Sequence, residues 1–164
     1  MIIRVIFLGI VLMLSACSTT GKIDPTMPIT GDLDSYDSIF VAVTSELQVE
    51  NEELLEIEEL LIEQLVEEHC YSEVSSCRSA PDKKRDLTLQ VKVLKMPVGG
   101  IQDYTIFSEG ETRFDVILIA EASGKTIGAC IVSAEAWGGG IWSTSSGRAI
   151  DCAVEEVVMF VTPD

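Results

Sequence analysis

The stretch SIFVAVTSELQVENEELLEIEELLIEQLVEEHC, residues 38–70, changes its hydrophobic period once, and that change decides the fold. Ser38 to Thr44 is a short continuous apolar run rich in β-branched residues, the pattern of a strand covered on both faces. From Asn51 to Cys70 the apolar residues Leu54, Ile57, Leu61 and Leu65 recur on one stripe, widened by Leu55, Ile62 and Val66, which predicts a helix. Beyond it, Asp86 to Met96 alternates, with Leu87, Leu89, Val91 and Val93 on one side and Thr88, Gln90 and Lys92 on the other, as in a half-buried strand. Thr112–Ala122 and Thr126–Ala136 are β-branched segments joined by the turn Ser123-Gly124-Lys125, a hairpin. Ser145 or Ser146 can cap a last helix with Ile150, Ala153, Val154, Val157, Val158 and Val161 on its stripe. The order β-α-β-β-β-α predicts an α+β two-layer sandwich, with a mixed four-stranded sheet and both helices on one face. A β-α-β unit sets the first two strands parallel, and the hairpin is antiparallel.

The chain has 164 residues, enough for one domain. Its 27 acidic residues against 11 Lys and Arg give a formal charge of -16, which excludes nucleic-acid binding because phosphate contacts need a field of the opposite sign. A content of 47% hydrophobic residues is too apolar for a disordered acidic tail.

Met1–Arg4 carry one positive charge, Val5–Met13 are apolar but for Gly9, and Leu14-Ser15-Ala16-Cys17 follow. The apolar run has the length of a signal-peptide core and falls short of the ~20 residues that span a bilayer. These seventeen residues resemble the signal of bacterial lipoproteins, whose lipobox ends in a lipidated cysteine. The resemblance implies acylation of Cys17, cleavage before it and a membrane anchor. Ser18, in place of the Asp that marks inner-membrane retention in enteric bacteria, points to the outer membrane, periplasmic side, with inner-membrane or cell-surface placement left open. Residues 1–16 are then a signal peptide. Residues 17–35, rich in Ser, Thr, Gly and Asp with Pro25 and Pro28, read as the lipidated Cys and a flexible tether, and 36–164 as a single α+β domain. In element order that domain resembles small envelope lipoproteins carrying a domain of unknown function, the amino-terminal domain of the Tol propeller protein and penicillin-binding-protein activator lipoproteins. These relatives imply binding or assembly and bring no catalytic residue.

With Cys17 acylated, Cys70, Cys77, Cys130 and Cys152 face an oxidising compartment, and four thiols allow three pairings. Cys70 with Cys77 and Cys130 with Cys152 are favoured as structural disulfides; buried free thiols are the alternative. Neither pair has the Cys-x-x-Cys spacing of a redox site. His69, the single histidine, adjoins Cys70, and adjacent helical residues diverge by about 100°, so a metal site is not expected and His69 belongs on the surface. Glu46, Glu50, Glu52, Glu53, Glu56, Glu58, Glu59, Glu63, Glu67 and Glu68 make the first helix and its approach acidic, either a solvated face or a docking surface for a basic partner.

The strand directions bring residues 97–111, with Tyr104 and Phe107, beside Trp137-Gly138-Gly139-Gly140-Ile141-Trp142 at one edge of the sandwich. Tyr104, Phe107, Trp137 and Trp142 are candidate partner-binding residues or, folded inward, a lid on the core. No Lys-Ser/Thr follows the glycines, so no phosphate loop is expected, and no catalytic set, metal or cofactor emerges. The sequence thus predicts a non-enzymatic envelope lipoprotein that binds or assembles with an envelope protein; a periplasmic small-ligand carrier and a hydrolase or redox enzyme are the alternatives.

Overall fold

The computed structural model describes residues 18–79, 84–97, 109–137 and 145–163. Six strands form one mixed sheet: β1 (Ser18–Met27), β2 (Ser38–Ser45), β3 (Glu73–Ser76), β4 (Leu87–Lys95), β5 (Glu109–Ala120) and β6 (Lys125–Trp137). The helices are α1 (Asn51–Glu67) and α2 (Ser145–Val161). Across the sheet the order is β1-β6-β5-β4-β2-β3, with β4, β2 and β3 parallel and the other neighbours antiparallel.

The expected four strands are all present, with β2 and β4 parallel and β5–β6 an antiparallel hairpin, but the sheet has two more, one at each edge. β3 is four residues long, too short to show a period, and carries Ser75 and Ser76 in place of a hydrophobic pair. β1 occupies the segment expected to be a tether. Its composition suggested coil, yet it pairs with β6 from Ser18↔Trp137 to Met27↔Ala129 and tolerates Pro25 beside a register shift. An edge strand needs only one hydrogen-bonding side, which is why proline survives there.

Both helices cover the same face. α2 lies over β5, β6 and β1, while α1 packs on β2 and β3 and against α2. The core between them is built from alternate strand residues, Ile39, Val41 and Val43, Leu87 to Val93, Phe114 to Leu118, and Cys130 to Ala134, interleaved with Ile57, Leu61 and Leu65 of α1 and Ile150, Ala153, Val154 and Val157 of α2. The α2 stripe is the one the sequence predicts. The α1 stripe is narrower, since Leu55 (41%) and Val66 (48%) are exposed. Glu58, by contrast, is buried.

On the opposite face Phe40 is fully buried, although its strand neighbours Ile39 and Val41 point to the core. The Arg85 guanidinium lies 5.4 Å from its ring centroid, so the segment leading into β4 roofs this part of the outer face.

Candidate functional site

Register lines up one end of the sheet. Ser18 opens β1 opposite Trp137, the last residue of β6, and Trp137 stands opposite Glu109, the first residue of β5. β2 and β4 finish at the same end, at Ser45 and Lys95, and both helices start there. The ends of β4 and β6 and the start of β5 therefore lie at one end of the sheet, as the strand directions read from the sequence predict. Tyr104, Phe107 and Trp142 lie outside the described residues, as does Cys17, and of Trp137 only the backbone in β6 is described. On the outer face near this end, Lys92 pairs with Glu46 and Lys95 with Glu111, so local charge is largely compensated.

At the opposite end, the C-termini of α1 and α2 flank a shallow groove of about 450 Å³ lined by Gln64, Glu67, Glu155, Val158, Met159 and Thr162. Near this end the buried Tyr71 donates to the Val161 carbonyl at 2.5 Å, tying the residue after α1 to the end of α2. Burial, followed by the neighbouring Cys70 and Asp34, pushes the Tyr71 phenol far above its ordinary range. His69 is exposed, as expected, and sits at φ +56°, the left-handed turn that ends α1. Asp151, on α2, has its carboxyl raised by burial, then by Glu155 and by Glu56 across the helix pair.

The four described cysteines, Cys70, Cys77, Cys130 and Cys152, are free thiols, which corrects the expected disulfides. Cys70 and Cys77 lie at opposite ends of β3, whose start is held at Asp37 and whose end is held by Cys77 N–H on the Val41 carbonyl at 2.8 Å. Four extended residues at ~3.3 Å each already exceed the ~7 Å Cα separation that a disulfide can bridge. Cys130 lies on β6 between Gly128, over which Phe160 packs, and Ala134, whose partner Gly21 meets Glu156. Cys152 is a further helical turn before Glu156, so the two sulfurs stand at different levels. Burial first, then nearby carboxylates, raises the Cys70, Cys130 and Cys152 thiols, Cys130 to about 12. Burial also raises Cys77, against the lowering influence of Arg85, which donates to its sulfur at 3.0 Å.

The polar residue that sequence reasoning missed is Glu58. β3 stops opposite Val41, leaving the next edge-facing backbone groups of β2, those of Val43, without a strand. Glu58 Oε2 accepts from the Val43 N–H at 3.4 Å, and Arg78 Nη2 donates to the Val43 carbonyl at 3.0 Å. Arg78 Nε stands 3.6 Å from the carboxylate, and Ser76 donates to its other oxygen. Two side chains thus complete the edge of the sheet. The signal was in the spacing: Glu58 is four residues after Leu54 and three before Leu61, on the buried stripe. A second clip joins the starts of β2 and β4, where Asp86 Oδ2 accepts from Ser38 N and Oγ at 3.2 and 3.1 Å.

Among the described residues no group of three or more His, Cys, Asp or Glu side chains converges as a metal site would require, and no helix is long and apolar enough to cross a membrane. No protein-family model and no curated protein sequence matches the chain. Solved structures do match in fold. A chain of the PelC dodecamer from Paraburkholderia phytofirmans, in a leucine-to-methionine variant, superposes with a TM-score of 0.63 at 12% identity, covering 88% of this chain and 100% of that one. A DUF330 protein from Xanthomonas campestris gives 0.51 at 12%, covering 82% and 88%. A lipoprotein from Neisseria meningitidis gives 0.46 at 14%, covering 74% and 95%, a likeness too slight to argue from. The chain therefore shares with PelC and the DUF330 protein a mixed α+β fold of one sheet and two helices, at identities that speak for fold alone.

Proposed function

We propose that the chain is a membrane-anchored envelope lipoprotein, held by acylated Cys17 on the periplasmic side of the outer membrane, whose domain acts as a non-enzymatic binding or assembly module. The observation that carries this reading is the lipobox Leu14-Ser15-Ala16-Cys17 ending one residue before a paired strand. Two or three acyl chains, each CH₂ worth ~0.8 kcal/mol on burial, hold such a domain stably. The commitments of the polar groups support a non-catalytic role: Glu58 and Asp86 close backbone edges, and all four described thiols are raised where a redox thiol would be lowered. A carrier draws less support, because the groove at the helix C-termini is open and acid-lined while the helix–sheet interior is filled by side chains such as Ile57, Leu61 and Ile150.

The test is Cys17→Ala in cells. The variant should leave the membrane fraction and appear soluble with its domain folded; retention on membranes after a high-salt wash would overturn the reading.

Self-assembly is a second reading, favoured by one observation: the PelC chain of like fold forms a dodecamer. Native mass spectrometry of the detergent-extracted protein should then give a multimer, and a monomer at micromolar concentration would remove self-assembly while leaving a module that binds another envelope protein.

A further inference from the structure

A lipid anchor usually hangs from a spacer, but here the residue after Cys17 is already inside the sheet. The bond to an acylated residue 17 therefore leaves directly from Ser18, in the Ser18–Trp137–Glu109 rung, with consecutive Cα atoms only ~3.8 Å apart. β1 is not loosely laid on the edge. Ile23 and Ile29 pack against the core, and Thr30 donates from its N–H to the Ile127 carbonyl at 2.7 Å. Gly128 has no Cβ where one would come within 2.8 Å of Ile29, so the end of this segment is fitted to its place. The strand's first residue is tied to lipid and its far end to the hairpin.

Resting on the lipoprotein reading above, we infer that a phospholipid surface is the fixed neighbour of one end of this domain: the end marked by Ser18, Trp137, Glu109 and Lys95 faces the bilayer, and the Glu121–Gly124 turn and helix C-termini face away. The anchor enters through β1, whereas α1, with its carboxylates, packs on β2 and β3 at the other side of the sheet. Four strand spacings separate β1 from β2, ~19 Å laterally, about two Debye lengths at physiological salt. The body of the acidic helix is therefore set to one side of the anchor, its first turn with Glu52 and Glu53 starting at the seat end, and the outer-face lysines near the seat, Lys22, Lys92 and Lys95, are already paired.

Height above the bilayer tests this. A fluorescent amino acid is placed at Lys95 or at Ala122 of the full-length acylated protein, reconstituted in phosphatidylethanolamine/phosphatidylglycerol vesicles carrying a headgroup-linked energy acceptor. The two positions differ by about nine strand residues, ~30 Å, so the Lys95 donor should be quenched at least about twofold more than the Ala122 donor. A Gly-Ser spacer inserted between Cys17 and Ser18 should abolish the difference. Equal quenching in a protein that floats with the vesicles overturns the inference, as does a difference that survives the spacer. A protein that does not float at all overturns the lipoprotein reading itself.

Discussion

Removing the Glu58 carboxylate tests whether a side chain can stand in for a missing strand. Val43 is 1% exposed and Glu58 3%, so water cannot take over when the carboxylate goes. Glu58→Ala deletes a charged acceptor from the Val43 N–H and from the Ser76 hydroxyl, where a hydrogen bond to a charged group contributes ~1.5–3 kcal/mol and an orphaned buried donor costs ~1–3. The ion pair with Arg78 adds little, ~0–1 kcal/mol, since the Arg78 side chain is half exposed. The expected loss is ~3 kcal/mol, which for a domain of this size lowers the melting temperature by about 10 °C. Glu58→Gln keeps an acceptor of the same shape and should lose only ~1 kcal/mol. Glu58→Leu separates hydrogen bonding from packing, because leucine suits the apolar stripe but leaves the Val43 N–H unpaired. Thermal and urea unfolding of residues 18–164, followed by far-UV circular dichroism, should therefore rank wild type above Gln, and Gln above Leu and Ala. A leucine variant as stable as wild type, or an alanine variant within ~0.5 kcal/mol of it, would refute the edge-completion argument.

Gly128→Ala should destabilise the domain by ~1–3 kcal/mol, because the new methyl would stand 2.8 Å from Ile29 and 3.3 Å from Phe160, and urea unfolding measures it; a neutral result would mean that the chain around Ile29 is not seated as described. Mass mapping of the protein after alkylation in denaturant should recover Cys70, Cys77, Cys130 and Cys152 unpaired, with Cys130 the slowest to react in the native state; a Cys70–Cys77 linked peptide would contradict the geometry of β3. The raised carboxyl of Asp151 favours the protonated form in the folded state, so its contribution to stability is present in acid and lost as pH rises from the ordinary carboxylate range through the folded value. Asp151→Asn should accordingly raise stability by a few tenths of a kcal/mol near pH 7 and have no such effect at about pH 3; an equal gain at both would assign the effect to something other than charge.

Period made the central elements legible. The stripe Ile150, Ala153, Val154, Val157, Val158 and Val161 is buried as a block, and Leu87, Leu89, Val91 and Val93 alternate into the same core. What the sequence hid was set by partners far away along the chain. β1 is polar and contains Pro25, and its strand conformation comes from the open side of β6 more than a hundred residues later. β3 has no hydrophobic signature because four residues are too few to show a period, and the edge beyond it is completed by the side chains of Glu58 and Arg78. The disulfide expectation failed for a related reason. Cysteine count and spacing carry no information about whether the chain between two thiols is coiled or extended, and β3 extends the Cys70–Cys77 loop. The aromatic edge stands partly legible: the strand ends that bound it lie at one end of the sheet, which follows from strand directions alone.

The strand that composition disguised as a tether also changes what the acidic helix can do. A domain on an eighteen-residue coil could present α1 in any direction, and its carboxylates would meet the membrane as often as a partner. With β1 in the sheet, an anchor on Cys17 would attach directly beside Ser18, and α1 is held at the far side of the sheet from that strand. Its exposed Glu52, Glu56, Glu59 and Glu63 then point at a constant angle into the space beside the seat. Under the lipoprotein reading, that geometry favours a basic protein surface standing alongside on the same membrane over one arriving from the far side of the periplasm. Like charges at i,i+4, such as Glu52 with Glu56, each cost a few tenths of a kcal/mol, and the burial of Leu54, Ile57, Leu61 and Leu65 offsets them. A face that folding tolerates but does not need is free to be shaped by what it meets.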